Sequence, residues 1–233
     1  MRALVVNGSP KGDKGNTALI LDPFVDGMKE AGAEVETILV KDLEIRPCLG
    51  DYACWHRTPG RCIHDDSMAA ILPKLASSGI IVFATPVYVD GVTGPLKCFM
   101  DRMIPLVSPK FEFREGHCRH PGNPGSVKGK MVLVSNCGFW EMDNFDPLIV
   151  HMKAVCRNMD REFAGALLRP HGPAFEAMLK MGHAVGDVLD AAREAGRQLA
   201  RDGAMKPETL AAAGRELLPL EMYAKIVNEN VRG

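Results

Sequence analysis

Apolar residues fall in short unbroken runs along this chain, and stretches with a helical period separate them. Residues 1–7 (MRALVVN) are the first such run. After a polar loop, an amphipathic pattern begins at Ala18 and carries Leu19, Ile20, Phe24, Val25 and Met28 to a stop near Gly32. Residues 33–40 alternate and then turn apolar, residues 79–84 (GIIVFA) and 131–135 are continuous apolar runs, and 163–168 is a fifth. Runs of this length between turn residues predict buried parallel strands. Helices are predicted between them, the first through Met68, Ile71, Leu72 and Leu75 and the others over 93–104, 146–159 and 184–201. Asp65 or Asp66 is placed to cap the helix that starts near Met68. Lys206-Pro207-Glu208 opens a last helical segment, with proline at an early position.

Strands alternating with helices argue for an α/β fold, a doubly wound five-stranded parallel sheet in the order 2-1-3-4-5 with helices on both faces, as in flavodoxin-like proteins. Residues 1–205 are expected to form that domain and 206–233 a C-terminal helical extension. Two stretches do not fit either period. Residues 41–66 hold Pro47, Gly50, Pro59, Gly60 and three cysteines and read as a functional loop; 106–130 is rich in Gly, Pro and charge and reads as an inserted loop or lid. In the expected sheet, ligands gather at the carboxyl ends of strands one, three and four. The loops there are 8–17 (GSPKGDKGNT), 85–91 (TPVYVDG) and 136–140 (NCGFW). The first empties a strand into glycines, hydroxyls and a helix start, which suits an anion; its bland alternative is a plain strand–helix turn.

Composition removes several function classes. The formal net charge of −1 gives no bulk attraction to nucleic acid or an anionic membrane. No apolar run is long enough for a spanning helix. Met1 leads straight into the first strand without a leader pattern, so a cytoplasmic protein is expected. Seven scattered cysteines do not make a secreted disulfide framework. Neither a G-K-[ST] phosphate loop, a nucleophile elbow nor an H-E-x-x-H motif is present.

The motifs together resemble the NAD(P)H-dependent FMN reductase family. Gly8-Ser9-Pro10-Lys11 with Gly15-Asn16-Thr17 is similar to its G-S-P-(R/K)…G-(N/H)-(T/S) loop. Ala84-Thr85-Pro86-Val87-Tyr88, then Gly94-Pro95-Leu96-Lys97 and Asp101-Arg102, resembles its T-P-(V/I)-Y…G-x-(L/M)-K…D-R segment. Pro47-Cys48, Cys54 and Gly60-Arg61-Cys62 running into Asp65-Asp66 resembles the iron–sulfur flavoprotein branch. The resemblance implies FMN, with its phosphate against Ser9, Lys11, Gly15, Asn16 and Thr17. Its ring would lie against Pro86, Val87, Tyr88, Val89 and Asp90 and against Asn136, Gly138, Phe139 and Trp140. NAD(P)H is implied as co-substrate, with a quinone, flavin, nitro or azo compound or metal species as acceptor, and a homodimer or homotetramer as the assembly. The alternative is an FMN electron-transfer protein that makes no direct use of nicotinamide. The chemistry would sit on the flavin, so no side chain is assigned as catalytic.

Several residues carry a second reading. Tyr88 would stack on the ring or pack as a rim aromatic; Asp90 would bond the ring or cap the next helix. Phe139 and Trp140 would cover the flavin or fill a dimer contact. Lys97 and Asp101, four apart on a helix, would form an ordinary surface pair, or, as the resemblance implies for Lys97, Asp101 and Arg102 together, serve to place the neighbouring loop. Cys48-x5-Cys54-x7-Cys62 offers three thiolates where a four-iron cluster takes four, and Asp51 stands where the branch has its further cysteine. A carboxylate is a harder, poorer cluster ligand, and paired C-x2-C spacing for zinc is missing. These three cysteines are therefore read as a degenerate motif of reduced thiols, with an iron–sulfur cluster the disfavoured alternative. His117-Cys118-Arg119-His120 reads as a solvated or interface segment.

Overall fold

The apolar runs become the inner strands of one parallel sheet in a computed structural model that describes residues 1–230. Strands β1 (Arg2–Asn7), β2 (Glu34–Leu39) and β3 (Ile80–Pro86) are joined through helices α1 (Asn16–Glu30), α2 (Ala53–His56) and α3 (Met68–Ser77). Helix α4 (Gly94–Asp101) leads to a two-stranded hairpin, β4 (Glu112–Arg114) and β5 (His117–Arg119). The chain then forms β6 (Lys130–Asn136), α5 (Asp146–Asn158), β7 (Glu162–Arg169), α6 (Gly172–Lys180), α7 (Gly186–Asp202), α8 (Pro207–Gly214) and α9 (Leu220–Asn230). The sheet order is β2-β1-β3-β6-β7, all parallel, which is the expected 2-1-3-4-5 order.

Alternation along each strand divides the core in two. Ala3, Val5, Ile80, Val82, Val132 and Val134 face α1, α6, α7 and α8. Leu4, Val6, Ile81, Phe83, Met131 and Leu133 face α3, α4 and α5. Helices α1 and α7 touch backbone to backbone. A methyl at Gly27 would run into the Arg193 carbonyl, and one at Gly196 into that of Phe24.

The structure departs from the sequence reading at several places. Residues 172–180, not singled out above, form α6, whose period is short and starts right behind β7. Segment 106–130, read above as an inserted loop or lid, contains the β4–β5 hairpin. The helix expected over 93–104 ends at Asp101, and the C-terminal extension holds two helices, α8 and α9, separated by residues 215–219. Asp66 accepts the Met68 N–H (3.1 Å), so of the two carboxylates it is the one at the start of α3. No helix of the described residues is long and apolar enough to cross a membrane.

Candidate flavin-binding site

Three loops leave the carboxyl edge of β1, β3 and β6 and are tied to one another. Gly8 N donates to the Ala84 carbonyl (2.7 Å), and Val87 N donates to that of Asn136 (2.9 Å). Thr93 caps α4, accepting from Leu96 N (3.4 Å) while its hydroxyl donates to the Gly8 carbonyl (2.6 Å). The Thr17 hydroxyl donates to Asn136 Oδ1 (2.6 Å), a buried bond that joins the first loop to the third.

Between these loops lies a cleft of about 180 Å³. Ser9, Lys11, Gly15, Asn16 and Thr17 line one end of it, Pro86, Val87 and Tyr88 another, and Asn136 and Gly138 a third. Cys137 and Pro173, which the sequence did not single out, complete the wall. The arrangement fits a bound phosphate on its own geometry. Helix α1 starts at Asn16 behind Gly15, which offers no side-chain cap; Ala18 N turns back to the Gly15 carbonyl (2.9 Å), and the amides of Asn16 and Thr17 have no such partner among the described residues. A methyl on Gly15 would stand 2.7 Å from Ser9 Oγ and 3.1 Å from Lys11 Cβ, so only glycine leaves the cradle open. Hydroxyl, amide, ammonium and helix dipole all favour an anion there.

Other expected contacts do not line this cleft. Tyr88 and Gly91 pair in a tight turn that lifts Val89 (99% exposed) and Asp90 to its tip, both with left-handed backbones (φ 47° and 59°). Asp90 does not cap α4, since Thr93 does. Phe139 is exposed, and Trp140 turns away, donating its indole N–H to the Leu218 carbonyl (2.9 Å). The Tyr223 hydroxyl of α9 donates to the Gly138 carbonyl, and His171 N to that of Phe139 (2.6 Å). The third loop is thus held from behind by residues that carry no sequence signal for the site. His171 is fully buried beside Arg169, and burial followed by that neighbouring guanidinium pushes its imidazole down to about 4. A second, largely apolar groove of about 1110 Å³ runs between α6 and α9 and shares Gly138 and Pro173 with the cleft.

The cysteine loop forms a separate, small chamber of about 70 Å³ that Cys48, Cys54, Cys62 and Arg102 line. Arg102 and Asp66 pair with both side chains almost wholly buried, at 2.7 and 3.1 Å. Arg102 also donates to the Arg46 carbonyl (2.6 Å), so it pins both ends of the loop, the placing role expected of it. Burial alone would lift the Asp66 carboxyl, but Arg102 and the amides of Arg46 and Met68 hold it below the ordinary carboxylate value. Lys97 and Asp101 make the expected surface pair (2.6 Å). His117 and Cys118 lie exposed on the hairpin, while His120 packs against Trp55 and Phe111.

A model of the family described as NADPH-dependent FMN reductase matches residues 1–136. An iron–sulfur flavoprotein of Methanocaldococcus jannaschii is 36% identical over 106 residues, 46% of this chain and 53% of that protein. One from Archaeoglobus fulgidus is 38% identical over 102 residues, 44% and 48% of the respective chains. The chain thus spans about half the length of the curated relatives it matches. Among solved structures, an FMN-dependent NADH-azoreductase from Bacillus anthracis in complex with FMN superposes with a TM-score of 0.62 at 17% identity, covering 85% of this chain and 99% of that one. An NAD(P)H:quinone oxidoreductase from Methanothermobacter marburgensis does so at 0.58 and 16%, covering 85% and 96%. At such identities the superpositions speak to the fold alone.

Proposed function

Because the chain belongs to the NADPH-dependent FMN reductase family, we propose that it binds FMN in the three-loop cleft and works as an NAD(P)H-dependent oxidoreductase. The observation that carries the reading is the convergence of the strand-end loops on one cleft, with an uncapped helix start and a glycine-dependent cradle at one end. Ser9, Lys11, Asn16 and the backbone N–H of Thr17, whose hydroxyl is committed to Asn136, hold the phosphate, and Gly15 lets it approach the backbone. Pro86, Val87 and Tyr88 form one wall for the ring, with the Asn136–Gly138 segment opposite. Bound FMN would supply two-electron chemistry between a nicotinamide and a small-molecule acceptor such as a quinone, flavin, nitro or azo compound. The residues here exclude water and fix orientation, and none is required as an acid or base. Val89 and Asp90, at the exposed turn tip, and Phe139 are placed to meet whatever covers the outer face of the ring.

The assembly that fits is a homodimer or a pair of dimers. Met181, Met222, Ile226 and Val227 are exposed beside the apolar groove, which supports a subunit contact next to the cleft. Light scattering on an Ile226→Asp variant tests this, and an unchanged mass would remove the groove from the interface.

The central experiment is a spectrum of the purified protein, then anaerobic mixing with NADPH or NADH. A flavin band bleached by nicotinamide is expected. Bound FMN that stays oxidised with both nicotinamides would leave the electron-transfer alternative, and failure to take up FMN would end both readings.

A further inference from the structure

The chamber in the 41–66 loop does not match the cluster after which the curated relatives are named. It offers three thiols, at Cys48, Cys54 and Cys62. Asp51, at the place of a fourth ligand, is already engaged. Its Oδ1 accepts from Ala53 N and its Oδ2 from Arg57 Nη2, both at 3.2 Å. None of the other cysteines joins the chamber. Cys98 donates to the Ile45 carbonyl (3.8 Å), Cys118 is exposed on the hairpin, Cys137 lines the flavin cleft and Cys156 lies in the core. No group of three metal-ligating side chains able to hold an ion occurs among the described residues.

What the chamber has instead is a buried cation. Arg102 is 1% exposed, its two terminal nitrogens are spent on Asp66 and Arg46, and its Nε has no partner. Arg102 and Cys62 line the same chamber, and burial raises the Cys54 thiol there, which leaves the first attack to Cys62. The chain also folds back to bring a second thiol to it. Arg57 N and Thr58 N both donate to the Ala53 carbonyl (2.9 and 2.8 Å), Gly60 N donates to that of Cys54 (2.9 Å), and the Thr58 hydroxyl donates to that of Arg61 (2.8 Å). This turn returns Cys62 to the side of Cys54. Cys54 is half-buried and its thiol is raised, first by burial and then by Cys62 and Cys48.

We infer that this loop carries a redox-active thiol pair, Cys62 the attacking and Cys54 the resolving cysteine, in place of a four-iron cluster. The oxidant is a low-molecular-weight disulfide. The Cys62 sulfur, giving up its proton, forms a bond to one sulfur of the small disulfide and releases the other as a thiolate. The Cys54 thiol then attacks Cys62 Sγ, losing its proton, and the second small thiolate departs. Two protein thiols become one disulfide, and the small disulfide is reduced to two thiols.

Two measurements test this independently of FMN reduction. In the first, the full-length protein is incubated anaerobically with ferrous iron, sulfide and dithiothreitol, then desalted and assayed for iron and labile sulfide. Less than one iron per chain is expected; three or four, with a visible charge-transfer band, overturns the inference. In the second, the reduced protein is titrated with oxidised glutathione, alkylated and mapped by mass spectrometry. The expected product is a link between the Cys54 and Cys62 peptides, with two thiols lost. Cys54→Ser should instead trap glutathione on Cys62, and Cys62→Ser should take up none at Cys54. A link through Cys48, or single glutathione adducts at all three cysteines in the unmutated protein, refutes the pair. Retained FMN uptake by each variant shows that it has folded.

Discussion

Gly15→Ala is the sharpest probe of the proposed phosphate cradle. The backbone there is extended (φ −95°), so alanine introduces no backbone strain. Its methyl would lie 2.7 Å from Ser9 Oγ, well inside the roughly 3.5 Å at which nonbonded atoms attract. The cheapest relief is for the Ser9 hydroxyl to rotate away, and that removes its donor from the phosphate. A hydrogen bond to a charged group is worth about 1.5–3 kcal/mol. FMN affinity should therefore fall about 10- to 150-fold, while the urea midpoint of the apoprotein stays nearly unchanged. Ser9→Ala removes the same donor directly and should give a similar loss, and the two should not add in the double variant. FMN fluorescence quenching measures all three. Unaltered affinity in Gly15→Ala, or fully additive losses, would sink the assignment of the phosphate to this loop.

Asp66→Asn leaves the Arg102 charge buried without its counter-ion and should cost about 3–5 kcal/mol by urea unfolding; adding Arg102→Met should recover much of it. Gly196→Ala forces α7 off the Phe24 carbonyl and should cost about 3 kcal/mol, whereas Gly186→Ala, with open space around it, should stay within about 0.5 kcal/mol. His171 is held neutral in the fold, down to about 4 from 6.5, so the unfolded chain takes up this proton first on acidification. Its contribution is complete above pH 6.5 and is lost between 6.5 and about 4, a total of about 3 kcal/mol. His171→Asn, which tolerates the left-handed backbone at that position (φ 39°), should flatten the stability–pH slope in that window; an unchanged slope contradicts it. Asp66, whose carboxyl is lowered, acts below this window, as pH falls through and beneath 3.8.

The sequence by itself determined the sheet, because a central parallel strand needs an unbroken apolar run, as residues 2–7, 79–84 and 131–135 have, and an edge strand tolerates the alternation seen at 33–40. It also located the three loops, since ligands in this topology meet at strand ends whose order follows from connectivity. The loop proposed for the phosphate was legible for a local reason: glycine, hydroxyls and a helix start lie within ten consecutive residues. The far side of the site was not. Asn136 receives its partner from Thr17, and Gly138 is held by Tyr223, across separations of 119 and 85 residues that no local pattern encodes. Trp140 illustrates the limit, for an aromatic next to a ligand loop can face the ligand or the other way. Only the packing of α9 behind the loop, with the Leu218 carbonyl ready to accept the indole N–H, decided its direction. The same holds for the cysteines. Their spacing left the chamber open to two chemistries, and it was the fold that drew Arg102 against Asp66 beside a chamber that Cys48, Cys54 and Cys62 line.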